Sequence, residues 1–301
     1  MRLVTRSDFD GLACAVLLKA KGLIDEYKFA HPKDIQDGLV EVTENDILAN
    51  VPYVPGCGMW FDHHSSENER VGNIQYKGCS KLAPSAARVI WDYYGGHESF
   101  SSNLDSMLEG VDRVDSGRLS AAEITDPKGW ILLGFIMDPR TGLGRYRDYR
   151  ISNYQLMLDM IDYCGSMSAE QILEVADVKE RTERYFSQEK DFKAMMERCV
   201  TVHGKLIVAD LRNEEEIYTG NRFSMYALYP DCNASMQIIW GLKQQNVVLT
   251  VGHSILNRTC TVDVGSLMLS YGGGGHLRVG TCQVPTENAD EAIQEIIKAF
   301  S

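Results

Sequence analysis

The sequence predicts an α/β fold of two domains: a parallel sheet with helices on both faces, followed by a smaller domain with a mixed sheet. In the first half of the chain, short apolar runs alternate with helical patterns, the order that covers a parallel sheet with helices. The pattern then becomes helical and charged, and after residue 200 short β-type runs dominate. We therefore expect domains over residues 1–150 and 200–301, joined by a helical connector over 151–199.

The elements of the first domain are predicted from apolar runs and the turn residues beside them. Residues 2–5 predict a strand, and residues 12–20 predict a buried helix that ends near Gly22. Residues 45–48 are predicted to end or follow another strand, which places Asp46 at a junction between strand and loop. Further strands are predicted at 27–30, at 60–61 and weakly at 39–42, and further helices at 84–94 and 104–111.

The composition is that of an ordinary globular protein. Of the 301 residues, 44% are hydrophobic and 24% are charged, and no apolar run approaches the length needed to cross a membrane. The apolar run at the start of the chain is too short for a signal peptide. The eight cysteines include no Cys-x-x-Cys pair. We therefore expect reduced thiols in a cytoplasmic protein that has no membrane partner.

The formal net charge of −12 limits the kinds of ligand. A long duplex nucleic acid bound without sequence preference needs a basic track, and the sequence has no long run of lysine and arginine. A short phosphate-bearing substrate needs only a local positive site, which bound metal cations can provide. The expected partner is therefore a short oligonucleotide, a dinucleotide or polyphosphate.

A carboxylate and two imidazoles, Asp62-His63-His64, follow the apolar run that ends at Phe61. In an open α/β sheet, ligands bind at the carboxyl ends of the strands, which is where this trio is expected. Alternate side chains of a strand face opposite ways, so a bend after Phe61 is needed for all three to converge. The alternative is a polar surface turn.

Three further segments place carboxylates at the ends of predicted elements. Asp8 and Asp10 directly follow the first strand and, two residues apart, point the same way in an extended segment. Asp46 lies at its strand junction, and Asp112 and Asp115 lie at the end of a helix, where negative charge is unfavourable. The alternatives are helix caps or turns for the first three and local pairing with a neighbouring arginine for the last two.

Together these clusters predict a metal site. Carboxylates with an imidazole suit hard or borderline divalent cations such as Mn²⁺ or Mg²⁺, and they do not suit a thiolate zinc site. Two such ions, about 3.5–4 Å apart and sharing a bridging carboxylate, would activate water and hold a phosphoryl group.

The chain resembles the DHH phosphoesterases, a family that includes RecJ-type exonucleases, nanoRNases, cyclic dinucleotide phosphodiesterases, family II pyrophosphatases and exopolyphosphatase-related proteins. Four segments match the family's motifs in order: Asp8-Phe9-Asp10-Gly11, Asn45-Asp46, Asp62-His63-His64 and Asp112 to Asp115. The glycine run from Tyr271 to His276 resembles the signature of the DHH-associated C-terminal domain. The resemblance extends over nearly the whole chain.

The resemblance implies a metal ligand set. Asp8 would bind the first metal and Asp10 the second, with Asp46 bridging both. His63 would bind the second metal, and one aspartate of the fourth motif would complete that site. The implied cofactor is one or two Mn²⁺ ions, with Mg²⁺ as an alternative.

The other polar residues of these motifs receive roles from the same resemblance. Asp112 is preferred to Asp115 as the last metal ligand. Asp62 would orient a neighbouring imidazole, as carboxylates beside metal-binding histidines do. His64 would face the substrate phosphate.

The first motif departs from the family pattern, which usually has a histidine a few residues before the first aspartate. Residues 4–7 hold valine, threonine, arginine and serine instead. Arg6 stays protonated and cannot be a metal ligand, but it can hold a phosphate oxygen. The first metal is therefore expected to bind weakly, to arrive with the substrate or to be absent.

In the C-terminal domain, the glycine run lets the backbone approach a ligand closely and form an anion-binding nest. The resemblance implies that this domain binds the part of the substrate away from the scissile phosphate. The candidate contacts are Gly273, Gly274, Gly275, His276, His253, Arg258 and Arg222. The alternatives are a flexible hairpin loop for the glycines and surface salt bridges for the arginines.

The resemblance and the residues together predict a metal-dependent phosphoesterase with its active site between two domains. Its expected substrates are oligoribonucleotides, a linear or cyclic dinucleotide, or 3′-phosphoadenosine 5′-phosphate. An exopolyphosphatase or pyrophosphatase is the alternative enzyme, and a nucleotide-binding sensor with weakened catalysis is the alternative of another class. A homodimer is left open.

Overall fold

The computed structural model describes residues 1–64, 67 and 70–300. The chain forms two compact units. The first consists of Met1–Arg118 and Pro127–Tyr185, and the second consists of Leu119–Asp126 and the chain from Phe186 onward. The boundary after Tyr185 falls within the segment expected to connect the domains. Within that segment, the helices Asn153–Ser166 and Ala169–Leu173 belong to the N-terminal unit.

The N-terminal unit is built on a parallel sheet of five strands in the order β2-β1-β3-β4-β5. The strands are β1 (Arg2–Thr5), β2 (Glu26–Phe29), β3 (Asp46–Ala49), β4 (Met59–Asp62) and β5 (Gly78–Ser80). All of their pairings are parallel. The central strands β3 and β4 are buried throughout, which explains their continuous apolar runs. The α/β fold with a parallel first sheet is therefore confirmed.

The strand register decides which residues share an edge of this sheet. Thr5 pairs with Ala49, and Ala49 pairs with Phe61, so β1, β3 and β4 end side by side. The residues that follow these strands therefore meet at the carboxyl edge. Asp46 pairs with Arg2 at the start of both strands and lies at the opposite edge.

None of the α-helices in the described chain is long and apolar enough to cross a membrane. Their bounds are Phe9–Ala20, Pro32–Gln36, Ala86–Tyr93, Asp105–Asp115, Ala121–Thr125, Gly129–Met137, Asn153–Ser166, Ala169–Leu173, Ala176–Ser187, Glu189–Cys199, Ser224–Leu228, Val264–Ser270 and Ala289–Ala299. The weakly predicted strand at 39–42 is absent from this described segment. Its residues form a loop that leads into β3.

The helix Phe9–Ala20 follows β1 at once and is buried from Phe9 to Leu18. It packs against the helices Ala86–Tyr93, Asp105–Asp115 and Asn153–Ser166. Its first turn lies so close to the end of β1 that a Cβ on Gly11 would come within 2.2 Å of the Arg6 carbonyl oxygen. Glycine is therefore required here, and the tight turn brings the start of the helix to the carboxyl edge of the sheet.

The C-terminal unit has a six-stranded sheet in the order β10-β11-β9-β8-β7-β6. The strands are β6 (Val200–His203), β7 (Leu206–Asp210), β8 (Ala234–Trp240), β9 (Val247–His253), β10 (Gly274–His276) and β11 (Val279–Val284). The pairing of β7 with β8 is parallel and the others are antiparallel. The closing helix Ala289–Ala299 buries its apolar face in the core of this unit. The mixed second sheet is thereby confirmed.

Candidate active site

A carboxylate–imidazole–carboxylate group lies at the carboxyl edge of the N-terminal sheet. The Nε2 atom of His63 lies 3.7 Å from Oδ2 of Asp10 and 3.4 Å from Oδ2 of Asp115. One possible ligand atom from each residue falls within 4.8 Å of the other two. Three segments far apart in the chain therefore place ligand-type atoms around one point.

The ring of His63 is held in the orientation that a metal ligand requires. Its Nδ1 lies 3.1 Å from the carbonyl oxygen of Ala83 and can donate a hydrogen bond to it. In the neutral tautomer that makes this bond, the lone pair is on Nε2, the nitrogen turned toward Asp10 and Asp115. A metal-binding histidine typically donates its other ring N–H to a carbonyl or carboxylate in this way.

Asp10 is buried at the start of the helix Ala86–Tyr93. Its two carboxylate oxygens accept hydrogen bonds of 2.8 Å from the backbone N–H groups of Ala86 and Ala87. Burial, together with the negative charge of Asp115, raises the pKa of Asp10 to about 7. A cation between the two carboxylates would offset both effects.

The raised pKa of Asp10 predicts a pH dependence of metal binding. A proton on Asp10 competes with the cation, because only the ionised carboxylate is a good ligand. As the pH falls below about 7, manganese affinity should therefore fall by roughly tenfold per pH unit. Calorimetric titration of the metal-free protein at several pH values measures this trend. An affinity that stays constant across the range would contradict it.

Asp62 and His64 form a second polar pair beside the first group. Asp62 is fully buried, and its Oδ1 accepts a 2.8 Å hydrogen bond from Nδ1 of His64. Burial lowers the pKa of His64, but the hydrogen bond and the charge of Asp62 outweigh burial and raise it overall. The ring centroids of His63 and His64 are 4.4 Å apart. Asp62 thus orients the imidazole of His64 next to the group of Asp10, His63 and Asp115.

Replacing His64 with alanine should leave metal binding intact and lower turnover strongly. The ring of His64 lies beside His63, but its hydrogen bond is to Asp62, which is not one of the three residues of the metal group. Removing a positioned proton donor typically costs about 10²–10⁴-fold in rate. Manganese content and kcat of His64→Ala, measured together, check this. Loss of manganese in this variant would contradict the separation of roles.

The negative charge of Asp8 is balanced by an ion pair and by two hydrogen bonds within the protein. Its Oδ2 lies 3.0 Å from Nε of Arg6, and its Oδ1 accepts hydrogen bonds from the backbone N–H of Gly11 at 3.0 Å and from Nδ2 of Asn50 at 3.1 Å. Asp8 is also the N-cap of the helix Phe9–Ala20. The helix-cap interpretation that the sequence left open thus describes its position, which is also at the carboxyl edge of the sheet.

Asn50 is a residue beside Asp8 that the sequence analysis did not single out. It directly follows β3, is buried, and adopts a left-handed backbone conformation with φ of 57°. Such a conformation is uncommon outside glycine, and asparagine tolerates it better than most residues. The sequence signal was present, since a polar residue follows the apolar run Ile47-Leu48-Ala49.

The structure places Asp46 away from the other candidates, which corrects the expectation that it joins them. Asp46 begins β3 and does not end it, so its side chain lies at the amino edge of the sheet. Its oxygens accept bonds of 2.6 and 3.0 Å from the guanidinium of Arg2 and one of 2.7 Å from the N–H of Thr43. Asp46 thus ties β1 to β3 and to the loop before β3.

The preference for Asp112 over Asp115 is likewise corrected by geometry. The buried carboxylate of Asp112 accepts hydrogen bonds from Oγ of Ser85 at 2.7 Å and Nε of Arg88 at 2.8 Å. It therefore joins the helix Asp105–Asp115 to the helix Ala86–Tyr93. Asp115, one turn further along, is the residue whose carboxylate faces His63.

Arg140 is a second residue that the sequence analysis missed. The helices Asp105–Asp115 and Gly129–Met137 pack against each other at Gly110 and Gly134. A Cβ on Gly110 would meet Trp130, early in the second helix, and a Cβ on Gly134 would meet Val114, near the end of the first. The contacts advance together along both helices, so the two helices run in the same direction. The segment after the second helix therefore emerges at the same end as Asp115. Asp138 holds Arg140 there through an Nε–Oδ1 contact of 2.7 Å.

The electrostatics of Arg140 agree with this placement. Burial lowers its pKa, but the charge and hydrogen bond of Asp138, followed by the charges of Asp8 and Asp115, raise it overall. Its side chain is 44% exposed, so the guanidinium can be reached by a ligand.

These contacts fit one cation better than two. Asp10, His63 and Asp115 provide two carboxylates and an imidazole with a correctly held ring, the set that suits Mn²⁺ or Mg²⁺. Asp8 is paired with a guanidinium, and Asp46 lies at the other edge of the sheet. The residues expected to hold a first metal thus do not form a second site.

In the C-terminal unit, packing requires two glycines of the run, Gly273 and Gly275. A Cβ on Gly273 would come within 2.1 Å of the Thr281 carbonyl oxygen, and one on Gly275 within 2.2 Å of the Val279 carbonyl oxygen. Gly274 meets nothing within 4 Å. The run forms a turn and then the short strand β10, which ends at His276 and pairs with β11.

The remaining candidates of this unit make local contacts. Nε2 of His253 lies 2.8 Å from the Val262 carbonyl oxygen, and burial lowers the pKa of His253. Arg258 donates to the Ile255 carbonyl oxygen at 3.0 Å. The guanidinium of Arg222 lies over the ring of Phe223, 4.4 Å from its centroid. These contacts leave the role of the three residues in substrate binding as a prediction.

The fold and the grouped motif residues are those of a DHH phosphoesterase, and the chain belongs to the DHH family. It is similar to a solved structure, PggH from Vibrio cholerae, described as a pGpG-specific phosphodiesterase. The two chains are 49% identical with a TM-score of 0.81, over 99% of this chain and 98% of that one.

More distant structures share only the fold. An exopolyphosphatase-related protein from Bacteroides fragilis is 12% identical with a TM-score of 0.50, over 99% of this chain and 91% of that one. A DHH domain from a protein described as a member of a family of ribosomal proteins is 12% identical with a TM-score of 0.58, over 99% of this chain and 86% of that one. No protein-family model and no curated protein matches the chain.

Proposed function

We propose that this protein is a metal-dependent phosphodiesterase that hydrolyses a linear dinucleotide of the pGpG type. The carrying observation is the group of Asp10, His63 and Asp115 at the carboxyl edge of the sheet. Identity of 49% to a pGpG-specific phosphodiesterase over nearly the full length of both chains supports the substrate class. The polyphosphate alternative has weaker support, because the exopolyphosphatase-related structure is only 12% identical.

In this proposal Asp10, His63 and Asp115 hold a divalent cation, with Mn²⁺ favoured by the mixture of carboxylate and imidazole ligands. When bound, the cation would polarise the phosphoryl group and lower the pKa of a coordinated water. Asp10 is fixed for this task by two backbone N–H groups, and His63 by the Ala83 carbonyl. Both ligands are thus held in place before the substrate arrives.

His64 acts on the substrate in this proposal. Its raised pKa favours the protonated ring, because Asp62 accepts the Nδ1 hydrogen bond and adds a negative charge. Nε2 would then donate a hydrogen bond to a phosphate oxygen or a proton to the leaving oxygen. A fully buried carboxylate behind the ring keeps this donor correctly turned.

The N-terminal unit is the catalytic one in this proposal, and the C-terminal unit binds the part of the dinucleotide away from the cleaved phosphodiester. The candidates for that contact are His253, His276, Arg222 and Arg258, with the glycine run beside them.

All eight cysteines are free, which supports a location in the reducing cytoplasm.

A substrate panel tests the proposal. The purified protein with Mn²⁺ is given pGpG, a cyclic dinucleotide, RNAs of about five nucleotides, 3′-phosphoadenosine 5′-phosphate and polyphosphate. We expect kcat/KM for pGpG to exceed the others by at least about tenfold, since a site built to pair with specific groups rejects ligands that lack them. Preferred turnover of polyphosphate would overturn the proposal. Tight binding of pGpG without turnover would favour a sensor.

A further inference from the structure

We infer that the active site uses one divalent cation and two fixed guanidinium groups, with Arg6 and Arg140 binding the phosphoryl group where a second cation would otherwise act. The inference deepens the proposed function and rests on it for the identity of the substrate. Its metal stoichiometry is independent of any turnover.

Asp8 is the residue on which a second cation would depend, and its surroundings disfavour one. Both of its oxygens are already used, by the Arg6 guanidinium, the Gly11 N–H and the Asn50 amide. Nδ2 of Asn50 turns N–H groups, not a lone pair, toward this carboxylate. A cation placed here would face donors and a positive charge in place of ligands.

Within residues 1–64, 67 and 70–300, Asp10, His63 and Asp115 form the only group of three or more metal-ligand side chains with ligand atoms this close together. Asp46, the other carboxylate expected to bridge two metals, is bound to Arg2 at the opposite edge of the sheet. One cation therefore accounts for the ligand atoms that the described structure brings together.

Arg6 has the position and the free capacity to bind a phosphate. It directly follows β1 at the carboxyl edge, and its side chain is 32% exposed. In the described part of the chain its ion-pair partner is Asp8, approached through Nε at 3.0 Å. An arginine approached through Nε still has the end-on pair of N–H groups on its two terminal nitrogens, and this pair can hold a phosphate. Its positive charge also acts on the neighbouring ring of His64.

Arg140 supplies the second guanidinium from a different element. The parallel packing of Asp105–Asp115 with Gly129–Met137 brings the segment that contains Arg140 to the end where Asp115 lies. Asp138 fixes it through Nε and through the backbone N–H of Arg140, both to the same oxygen. Arg6 and Arg140 would therefore offer a phosphoryl group two guanidinium groups that come from different elements.

The first experiment counts bound manganese. Protein stripped with EDTA is saturated with Mn²⁺, separated from free metal and analysed by elemental mass spectrometry and calorimetry. We expect one ion per chain in the wild type and in Asp8→Asn, because Asp8 is not a ligand. Asp115→Asn should bind none. Two ions per wild-type chain, or loss of the ion in Asp8→Asn, would overturn the inference.

The second experiment measures phosphate binding without metal. Binding of pGpG and, separately, of inorganic pyrophosphate to EDTA-treated protein is followed by calorimetry. Arg6→Gln and Arg140→Gln should each weaken binding by about tenfold or more and keep one manganese per chain, since hydrogen bonds to charged groups are the strong ones. The control is Arg150→Gln, which removes a 66% exposed arginine paired with Asp177 and should change neither quantity.

Arg6→Gln leaves the buried Asp8 without its ion pair, so the double variant Arg6→Gln/Asp8→Asn removes both charges together. It should show the same weakened binding and the same manganese count as Arg6→Gln. Unchanged pyrophosphate binding in Arg140→Gln and in this double variant would overturn the role of the arginines. Failure of pGpG turnover in the wild type would instead reject the proposed function, and the manganese count would still decide between one cation and two.

Discussion

His63→Ala is expected to lose its bound manganese and to lower kcat by about 10³-fold or more, because a catalytic metal contributes several kcal/mol of transition-state stabilisation. The reason is geometric. Nε2 of His63 is the atom that lies between the carboxylates of Asp10 and Asp115, at 3.7 and 3.4 Å. Without the ring, two carboxylates remain with no neutral ligand between them. Elemental analysis and steady-state kinetics on the same preparation measure both effects.

A matched pair of aspartate variants on one helix sharpens this prediction. Asp115→Asn should behave like His63→Ala, since its carboxylate faces the ring. Asp112→Asn removes the same charge one turn earlier, but that carboxylate is bound to Ser85 and Arg88. It should keep manganese and most of its turnover while losing stability. The reverse pattern, with manganese lost only in Asp112→Asn, would show that the metal group is wrongly assigned.

Asp46→Asn is expected to keep full manganese binding and turnover but to unfold at a temperature several degrees lower. Asp46 is 1% exposed and accepts hydrogen bonds from Arg2 and Thr43. The amide keeps the shape but loses the charge and presents N–H groups to donors. Since the Arg2 side chain is 29% exposed, water relieves part of the loss, and we estimate about 1–3 kcal/mol. Scanning calorimetry measures the change in unfolding temperature, and a manganese count on the same variant measures metal binding.

The pH dependence of stability provides a second test of the contacts of Asp46. Burial opposes its ionisation, but the hydrogen bond from Arg2 and the contacts with Thr43 outweigh burial and lower its pKa. A carboxyl group with a lowered folded-state pKa stabilises the protein above its unfolded pKa of about 4, and that contribution is lost as the pH falls through the folded value. The stability difference between wild type and Asp46→Asn should therefore shrink in acid. Loss of manganese from Asp46→Asn at neutral pH would contradict its placement.

The sequence by itself determined the class of fold and most of the chemistry. Alternating apolar runs and helical patterns predicted the parallel sheet, because strands buried on both faces must be continuously apolar. Polar residues at the ends of such runs predicted where the candidate site lies, and Asp10 and His63 lie together there. These are local properties, decided by what each short segment can bury.

Tertiary structure alone decided which carboxylates meet. Asp46 and Asn50 flank the same short strand, and only the register with β1 shows that Asn50 lies at the edge with the other site residues and Asp46 does not. Asp112 and Asp115 share one helix, but the packing of that helix turns the first toward Arg88 and the second toward His63.

Arg140 is the clearest case of a position that the local sequence does not predict. Its own segment carries no sign of the site. It reaches the end of the helix Asp105–Asp115 where Asp115 lies because two helices pack in parallel with small residues, Gly110 and Gly134, at their contacts. The direction in which a side chain points depends on how its helix or strand is rotated relative to the elements packed against it, and those elements are distant in sequence. A local pattern therefore determined which kinds of residue could bind metal and phosphate, while the packing of distant segments decided which of them lie together.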